Sequence, residues 1–342
     1  MMKTINKTIA ALGIAFFAFA INVQAQSLLS KQTEVKPYAT LDIEHQFGNI
    51  ECTNWNQNVV SVEVLFEGDP EDFEKVKRNV EVIHSKTGNT IRVETDVNAD
   101  NILDESRIDI IVKMPVEIHL IIENQFGSIF IEHVSGDTEI ESKFGNLVCE
   151  MLEGERNEID SKFGNATIEH IKSGEINSSN GNLEITKGGR LIVESKFGNA
   201  HIGEVESLSA ESKNGQFTLG EAVDLDFEGA FGSFEAGKVS GSLSIENGYG
   251  SSIIHKLEPS VKHVSAESKF GSLKMGVDKN SAFNVECEVK MGSFYYPEEI
   301  SEMTISESSM LSKSYEGRIG KGNNAGTMTL ENKNGDIIIY EY

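Results

Sequence analysis

Cysteine is scarce in this chain. Its 342 residues hold three, Cys52, Cys149 and Cys287, with no CxxC pair and no dense spacing. An odd, dispersed set excludes a disulfide framework, and the three read as reduced residues filling small core positions. Basic residues are few as well: 30 Lys and Arg stand against 54 Asp and Glu, a net charge of −24. That surface repels nucleic acid and anionic lipid, so any charge-dependent partner is a cation, a basic protein or a basic surface. No HExxH, GxSxG, Walker-type or EF-hand phrase occurs. His133 and His170 share a column of the repeat described below, but two coil steps put them about 10 Å apart, too far for joint metal ligation. No catalytic, cofactor-binding or metal-ligating residues, and no cofactor, are therefore expected.

The one long apolar run is N-terminal. Lys3 and Lys7 lead into Ile9 to Ile21, and Val23-Gln24-Ala25 places small residues before a cut at Gln26. The run is shorter than the roughly 20 residues that span a bilayer, so residues 1–25 read as a secretory signal peptide rather than a membrane anchor. Cleavage removes two lysines and no acid, taking the net charge to −26. The mature chain is expected to be exported, to the periplasm or the outer cell surface, and not to span a membrane.

What the chain does have is a glycine that returns every 17 to 21 residues inside variants of Glu-Ser-Lys-Phe-Gly-Asn: Gly127, Gly145, Gly164, Gly181, Gly198, Gly215, Gly232, Gly250, Gly271 and Gly292. Gly335 follows after 43 residues, and Gly48 is an isolated earlier copy. Such a period marks a solenoid of stacked coils. Counting from each glycine, position −5 holds Ile140, Ile159, Ile176 and Val193; −3 holds Ser142, Ser161, Ser178 and Ser195; −1 holds Phe126, Phe144, Phe163 and Phe197. Position +2 holds Leu147, Ala166, Leu183 and Phe217, and +4 holds Cys149, Ile168, Ile185 and Ile202. Two short period-two strands joined at the glycine account for all five columns. The fold expected is all-β, a parallel β-helix of about 17 to 21 residues per coil. An α-helical repeat conflicts with the Gly, Ser, Ile, Val and Phe content, and a propeller blade needs a longer period.

Stacking turns columns into ladders. Phe should stack on Phe at the corner, and Asn146, Asn165, Asn182 and Asn199 after the glycine should bond the bending backbone. The inward Ser column should be hydrogen-bonded to neighbours or wall backbone, since an unpaired hydroxyl costs about 1–3 kcal/mol. Outward, the −4 acids (Glu141, Asp160, Glu194, Glu211) run beside the −2 lysines (Lys143, Lys162, Lys196, Lys213), so each Lys should reach acids of its own and adjacent coils.

Residues 26–115 read as an N-terminal cap with irregular first coils, and 116–342 as the regular solenoid. Within the cap, Tyr38 to Cys52 resembles one degenerate coil. Asp69-Pro70-Glu71-Asp72 reads as a helix start, with Asp69 as N-cap and Asp72 as its acidic return partner. Strands are expected at Val59 to Phe66, Val80 to His84, Thr90 to Thr95 and Arg107 to Met114. Near the end, the 43-residue gap leaves room for two coils, with a weak copy near Ser314 to Ile319. The long-spaced coils imply loops at Tyr296-Pro297-Glu298-Glu299 and Gly320 to Gly326, as accommodated insertions or as binding sites. The terminal strand Asp336 to Tyr342 either offers an open edge for end-to-end self-association or is covered by a preceding loop.

The Ile-Glu-Ser-Lys-Phe-Gly-Asn phrases, the leader, and Val112-Lys113-Met114-Pro115 followed by Ile118 and Leu120 resemble the bacterial "putative adhesin" family of exported β-solenoid proteins. They are similar also to autotransporter-adhesin head-like proteins of Bacteroidetes. The resemblance covers roughly Lys36 to Tyr342 and implies a right-handed single-stranded β-helix in the cell envelope. It carries over no catalytic residue. The function expected is non-enzymatic: an acidic surface for binding or adhesion, with a glycan or an envelope protein as partner. The alternatives are a periplasmic scaffold for another envelope protein and, behind it, a carbohydrate-active enzyme. The latter needs acids clustered against a sugar, whereas the acids here form one repeated column.

Overall fold

The computed structural model describes residues 25–97, 106–323 and 325–342 of the chain, so the leader read at 1–25 lies almost wholly outside the described residues. The chain is a right-handed parallel β-solenoid built on in-register ladders. Its centre consists of five long strands, Ala166–Ser179, Leu183–Lys196, Ala200–Asn214, Phe217–Phe231 and Phe234–Tyr249, each parallel to the next.

One coil shows how the residues produce this. Ala200, Ile202, Val205, Leu208, Ala210 and Ser212 all point inward and are buried. Alternation by two holds along each wall, while the steps of three at Ile202, Val205 and Leu208 place two bends between the walls. The coil therefore has two more inward columns than the five read from the sequence: one at +7 (Val134, Leu152, Ile171, Val205, Val239) and one at −7 (Leu191, Leu208, Leu225, Leu243), all buried. Each large aliphatic side chain removed from water adds roughly 1.5–3 kcal/mol, so the stack is held mainly by these ladders.

The sharp corner explains the glycine. A Cβ on Gly181 would collide with the carbonyl of Gly164, and one on Gly215 with that of Gly198, because successive glycines lie directly over one another. Close approach, rather than dihedral freedom, is the shared requirement. Gly215 takes φ 137°, but at Gly181 the left-handed angle has moved to the residue before it, Asn180, with φ 58°. Phe163, Phe197 and Met291 do the same, at φ 52°, 54° and 51°. For a side chain of that size the conformation costs about 1–2 kcal/mol. The Asn ladder beyond the corner clamps coil to coil: Asn146 Oδ1 accepts from Asn165 N at 3.0 Å, and Asn165 Oδ1 from Asn182 N at 3.0 Å.

Both ends depart from sequence order. Ala39–Phe47 and Ile50–Asn54 form a complete coil in register with Ile118–Phe126 and Ile129–Val134, so the isolated Gly48 lies under Gly127. On its other side lie Thr90–Val97 and Arg107–Met114, which come later in the chain. Antiparallel strands close this end: Gln26–Glu34 on Val59–Glu67, Val59–Glu67 on Arg107–Met114, and Val80–Thr87 on Thr90–Val97. The expected helix is a 3-10 turn at Pro70–Asp72 followed by Phe73–Asn79. Asp69 caps the turn by accepting from Glu71 N at 2.9 Å, and Asp72 makes no return bond.

At the other end, Gly326–Asn332 and Ile337–Glu341 are inserted between two earlier coils. They pair with His263–Phe270 and Leu273–Val277 on one side and with Phe283–Lys290 and Phe294–Tyr295 on the other. The terminal strand is thus not the last rung of the stack. The 43-residue gap holds no pair of coils: Ser301–Ser308 and Ser312–Ile319 form an antiparallel hairpin, and its second strand covers Phe283–Lys290. What read as a weak repeat near Ser314 to Ile319 is that covering strand, whose alternation matches a coil but whose direction is reversed.

Candidate functional site

The loops expected after Gly250 serve as closures. Tyr296 packs on Phe294 with ring centroids 5.1 Å apart, Ile300 is buried, and Gly320 N donates to Ile300 O at 2.7 Å. Arg318 donates to Gly322 O, tying residues 318–322 together. Burial of these groups accounts for the long loops structurally.

The charged ladders form as expected. Lys162 Nζ lies 2.9 Å from Asp160 and 3.2 Å from Glu141 of the preceding coil; Lys213 lies 2.9 Å from Glu194 and 3.5 Å from Glu211. Lys196 and then Lys213 hold the Glu194 carboxyl below the usual carboxylate range, chiefly by hydrogen bonding. Lys333 reaches Glu267 at 3.0 Å, so even the inserted coil joins the ladder through its spatial rather than its sequence neighbour.

Position −3 is polar through most of the stack: His45, Asn124, Ser142, Ser161, Ser178, Ser195, Ser212, Asn247, Ser268 and Asn332 are all buried. The hydrogen bonds expected for the Ser column are missing at Ser142, Ser161, Ser178, Ser195 and Ser268, whose hydroxyls have no protein partner. In-register hydroxyls sit about 4.8 Å apart, beyond the ~2.8 Å of an O–H···O bond, and the wall carbonyls are already committed to the ladders. Asn succeeds where Ser does not because its amide reaches further: Asn124 Nδ2 donates to Gly48 O and Gly127 O, both at 3.1 Å. His45 bonds Thr95 at 2.5 Å through Nδ1, and burial lowers its pKa to about 4. The three cysteines are free and buried, and burial pushes the Cys52 and Cys287 thiols up to about 12.

The departure from the ladders lies on the wall that precedes the corner. Its outward positions −8 and −6 hold small hydroxyls at Ser207 and Ser209, at Ser242 and Ser244 two coils on, and then at Ser265 (beside His263) and at Thr327 and Thr329, leaving a groove of about 790 Å3. Arg156 and Arg190 stand at its wide-residue end. In its middle, one coil carries carboxylates instead, Asp224 and Asp226, in line with Glu228. Positions −8 and −6 lie outside the five columns that define the repeat, so the phrase around the glycine does not reveal this constellation; counting back from Gly232 does. Alternate residues of a strand are about 7 Å apart, so the acids act singly.

Several polar groups of the groove are bonded to one another. Ser242 donates from both N (2.9 Å) and Oγ (2.6 Å) to Asp224 Oδ1, while His263 Nδ1 lies 3.1 Å from Thr327 Oγ1. A serine nucleophile requires the opposite wiring, with the imidazole on the serine and the acid on the imidazole. Among the described residues no group of three or more His, Cys, Asp or Glu is placed to hold a metal ion, and no helix is long and apolar enough to cross a membrane.

On the corner, the aromatic column is stacked and, apart from the half-buried Phe47, exposed. Phe47, Phe126, Phe144 and Phe163 form one run, with centroids 5.1, 5.1 and 5.0 Å apart and planes within 11°. Phe231, Tyr249 and Phe270 form a second at 4.9 and 4.7 Å. Between the runs the rungs are Asn180, Phe197 and Asn214.

No protein-family model matches the chain, and no curated protein matches it. Among solved structures, the chain is similar to one described as a putative adhesin from Parabacteroides merdae, at 10% identity and TM-score 0.34, covering 92% of this chain and 95% of that one. A putative adhesin from Bacteroides fragilis is similar at 11% and 0.27, covering 92% and 96%. A putative cell adhesion protein from Clostridium sporogenes is similar at 9% and 0.19, covering 93% and 100%.

Proposed function

We propose that this protein is a non-enzymatic solenoid of the bacterial cell envelope that binds an extended, hydroxyl-rich glycan along the groove from Arg156 to Thr329. The carrying observation is the set of small hydroxyls at Ser207, Ser209, Ser242, Ser244, Ser265, Thr327 and Thr329, interrupted at −8 by His263, around Asp224 and Asp226. Small hydroxyls on a stiff sheet give a ligand room and hydrogen-bond partners at ~4.8 Å intervals, and the two carboxylates accept from ligand hydroxyls. Adhesion follows from length: one polymer engages several coils at once, so weak contacts sum. The leader at 1–25 supports export, to the periplasm or the outer surface.

Filling the groove tests this reading. Ser209→Trp and Ser244→Trp change outward side chains only, so they should leave the melting temperature within a few degrees of wild type and abolish binding on a glycan array. Product release from any bound glycan, lost in Asp226→Asn, would replace the binding reading with a hydrolytic one.

A further inference from the structure

We propose that the corner ridge carries a second site, a pair of ring slots at Asn180 and Asn214 that take two aromatic side chains of a partner polypeptide in an extended, polyproline-like conformation. The ladder defines the slots. Phe163, Phe197 and Phe231 stand two coil steps apart, about 9.6 Å, with Asn180 and Asn214 on the rungs between. That is the room one flat ring occupies in the neighbouring runs, where rings repeat at 4.7–5.1 Å. Around the slots exposure follows the missing neighbours: Phe126, Phe144 and Tyr249, covered on both faces, are 41–47% exposed, Phe163 and Phe231, covered on one, are 54%, and Phe197, covered on neither, is 63%, whereas Phe270, stacked on Tyr249 with Asn334 on its other side, is 45%.

A second, independent feature falls in the same place. Phe163, Asn180 and Phe197 are three consecutive rungs in the left-handed conformation, whereas the flanking corners put the positive φ on Gly145 and Gly215. Strain held in a bulky side chain collects at binding sites, because it fixes where the side chain points. The side-chain amides of Asn180 and Asn214 make no hydrogen bond among the described residues, so no bond holds them in the slots.

The spacing selects the occupant. Slots about 9.6 Å apart match residues i and i+3 of a polyproline helix, which lie on one face about 9.3 Å apart. Lys162, Lys196 and Lys213 beside the ridge are already paired with Asp160, Glu194 and Glu211, which gives a neutralised polar rim around an apolar centre. The net charge of −24 favours a partner with basic flanks.

The probe is a fluorescein-labelled peptide, Lys-Pro-Tyr-Pro-Pro-Tyr-Pro-Lys, titrated with the mature protein by anisotropy. Asn180→Phe and Asn214→Phe complete the ladder from within, and Phe already adopts the Asn180 conformation at 163 and 197. Each should weaken binding about tenfold and the double variant should abolish it, with unchanged circular dichroism. A peptide with its tyrosines four residues apart should bind at least about tenfold more weakly. Equal binding by the respaced peptide, undiminished binding by the double variant, or no binding by wild type overturns the proposal. So does a glycan-array signal lost in Asn180→Phe, which would make the slots sugar sites. Ser209→Trp leaves peptide binding intact, so failure of the groove and failure of the slots are separable.

Discussion

The centre and the ends of the stack obey different rules. From Ala166 to Tyr249 every coil lies on its sequence neighbour, every pairing is parallel, and five strands of 14 to 16 residues repeat one set of columns. At the ends, coils 39–54 and 326–341 lie between partners that are not both adjacent in sequence, and all antiparallel pairings among the described residues are found there. Matching columns therefore specify a face that fits any coil of the same register, and order must come from elsewhere. The ends supply it by covering each open ladder with strands running the wrong way to be extended, which also discourages edge-to-edge growth.

The largest expected effect breaks the centre. Ile168→Asp places an unpaired charge in a fully buried ladder and should cost more than about 4 kcal/mol, whereas Thr167→Asp on the outward side should stay within about 0.5 kcal/mol by thermal melting. Equal losses would mean that the wall phase is inverted.

Next comes the polar column that runs through both regions. His45 titrates near 4 in the fold against 6.5 in the unfolded chain, so the folded state binds fewer protons. Stability is unaffected above about pH 6.5 and falls by roughly 3 kcal/mol as pH drops through 4. His45→Asn, which installs the residue found one coil up at Asn124, should remove that part of the acid sensitivity in parallel melts at pH 7.5 and 4.0.

Smaller still is the corner. Gly181→Ala meets the Gly164 carbonyl with rigid coils on both sides and should cost about 1–3 kcal/mol, while Gly292→Ala, against the Gly335 carbonyl at the covered end, should cost less because the cap can shift. The reverse ranking in urea midpoints would show that the ends are the stiffer part. The smallest change is Ser161→Ala, which removes a hydroxyl without a protein partner and should move stability by less than about 1 kcal/mol.

Much of the architecture was legible because the corner is chemically demanding. Only Gly fits over Gly, and Ile168 or Leu183 can occupy the inside in one phase alone. The +7 and −7 columns were harder to read because the bends interrupt alternation by two. The threading of 326–341 was not legible at all, since a coil sequence records which columns match and not which coil arrives between which. Ser161 illustrates a similar limit: its column revealed its direction but not whether an acceptor lay within reach. The groove at Asp224 and Asp226 was readable in principle, as a break in positions that carry small hydroxyls in the neighbouring coils.

The insertion of 326–341 also constrains assembly in time. A layer that lies between coils 263–277 and 283–295 cannot be seated by stepwise addition onto a growing tip; its two neighbours must remain apart until it arrives. The solenoid is in this respect less a stack of plates than a clasp, whose final closure reports that every earlier segment has been delivered.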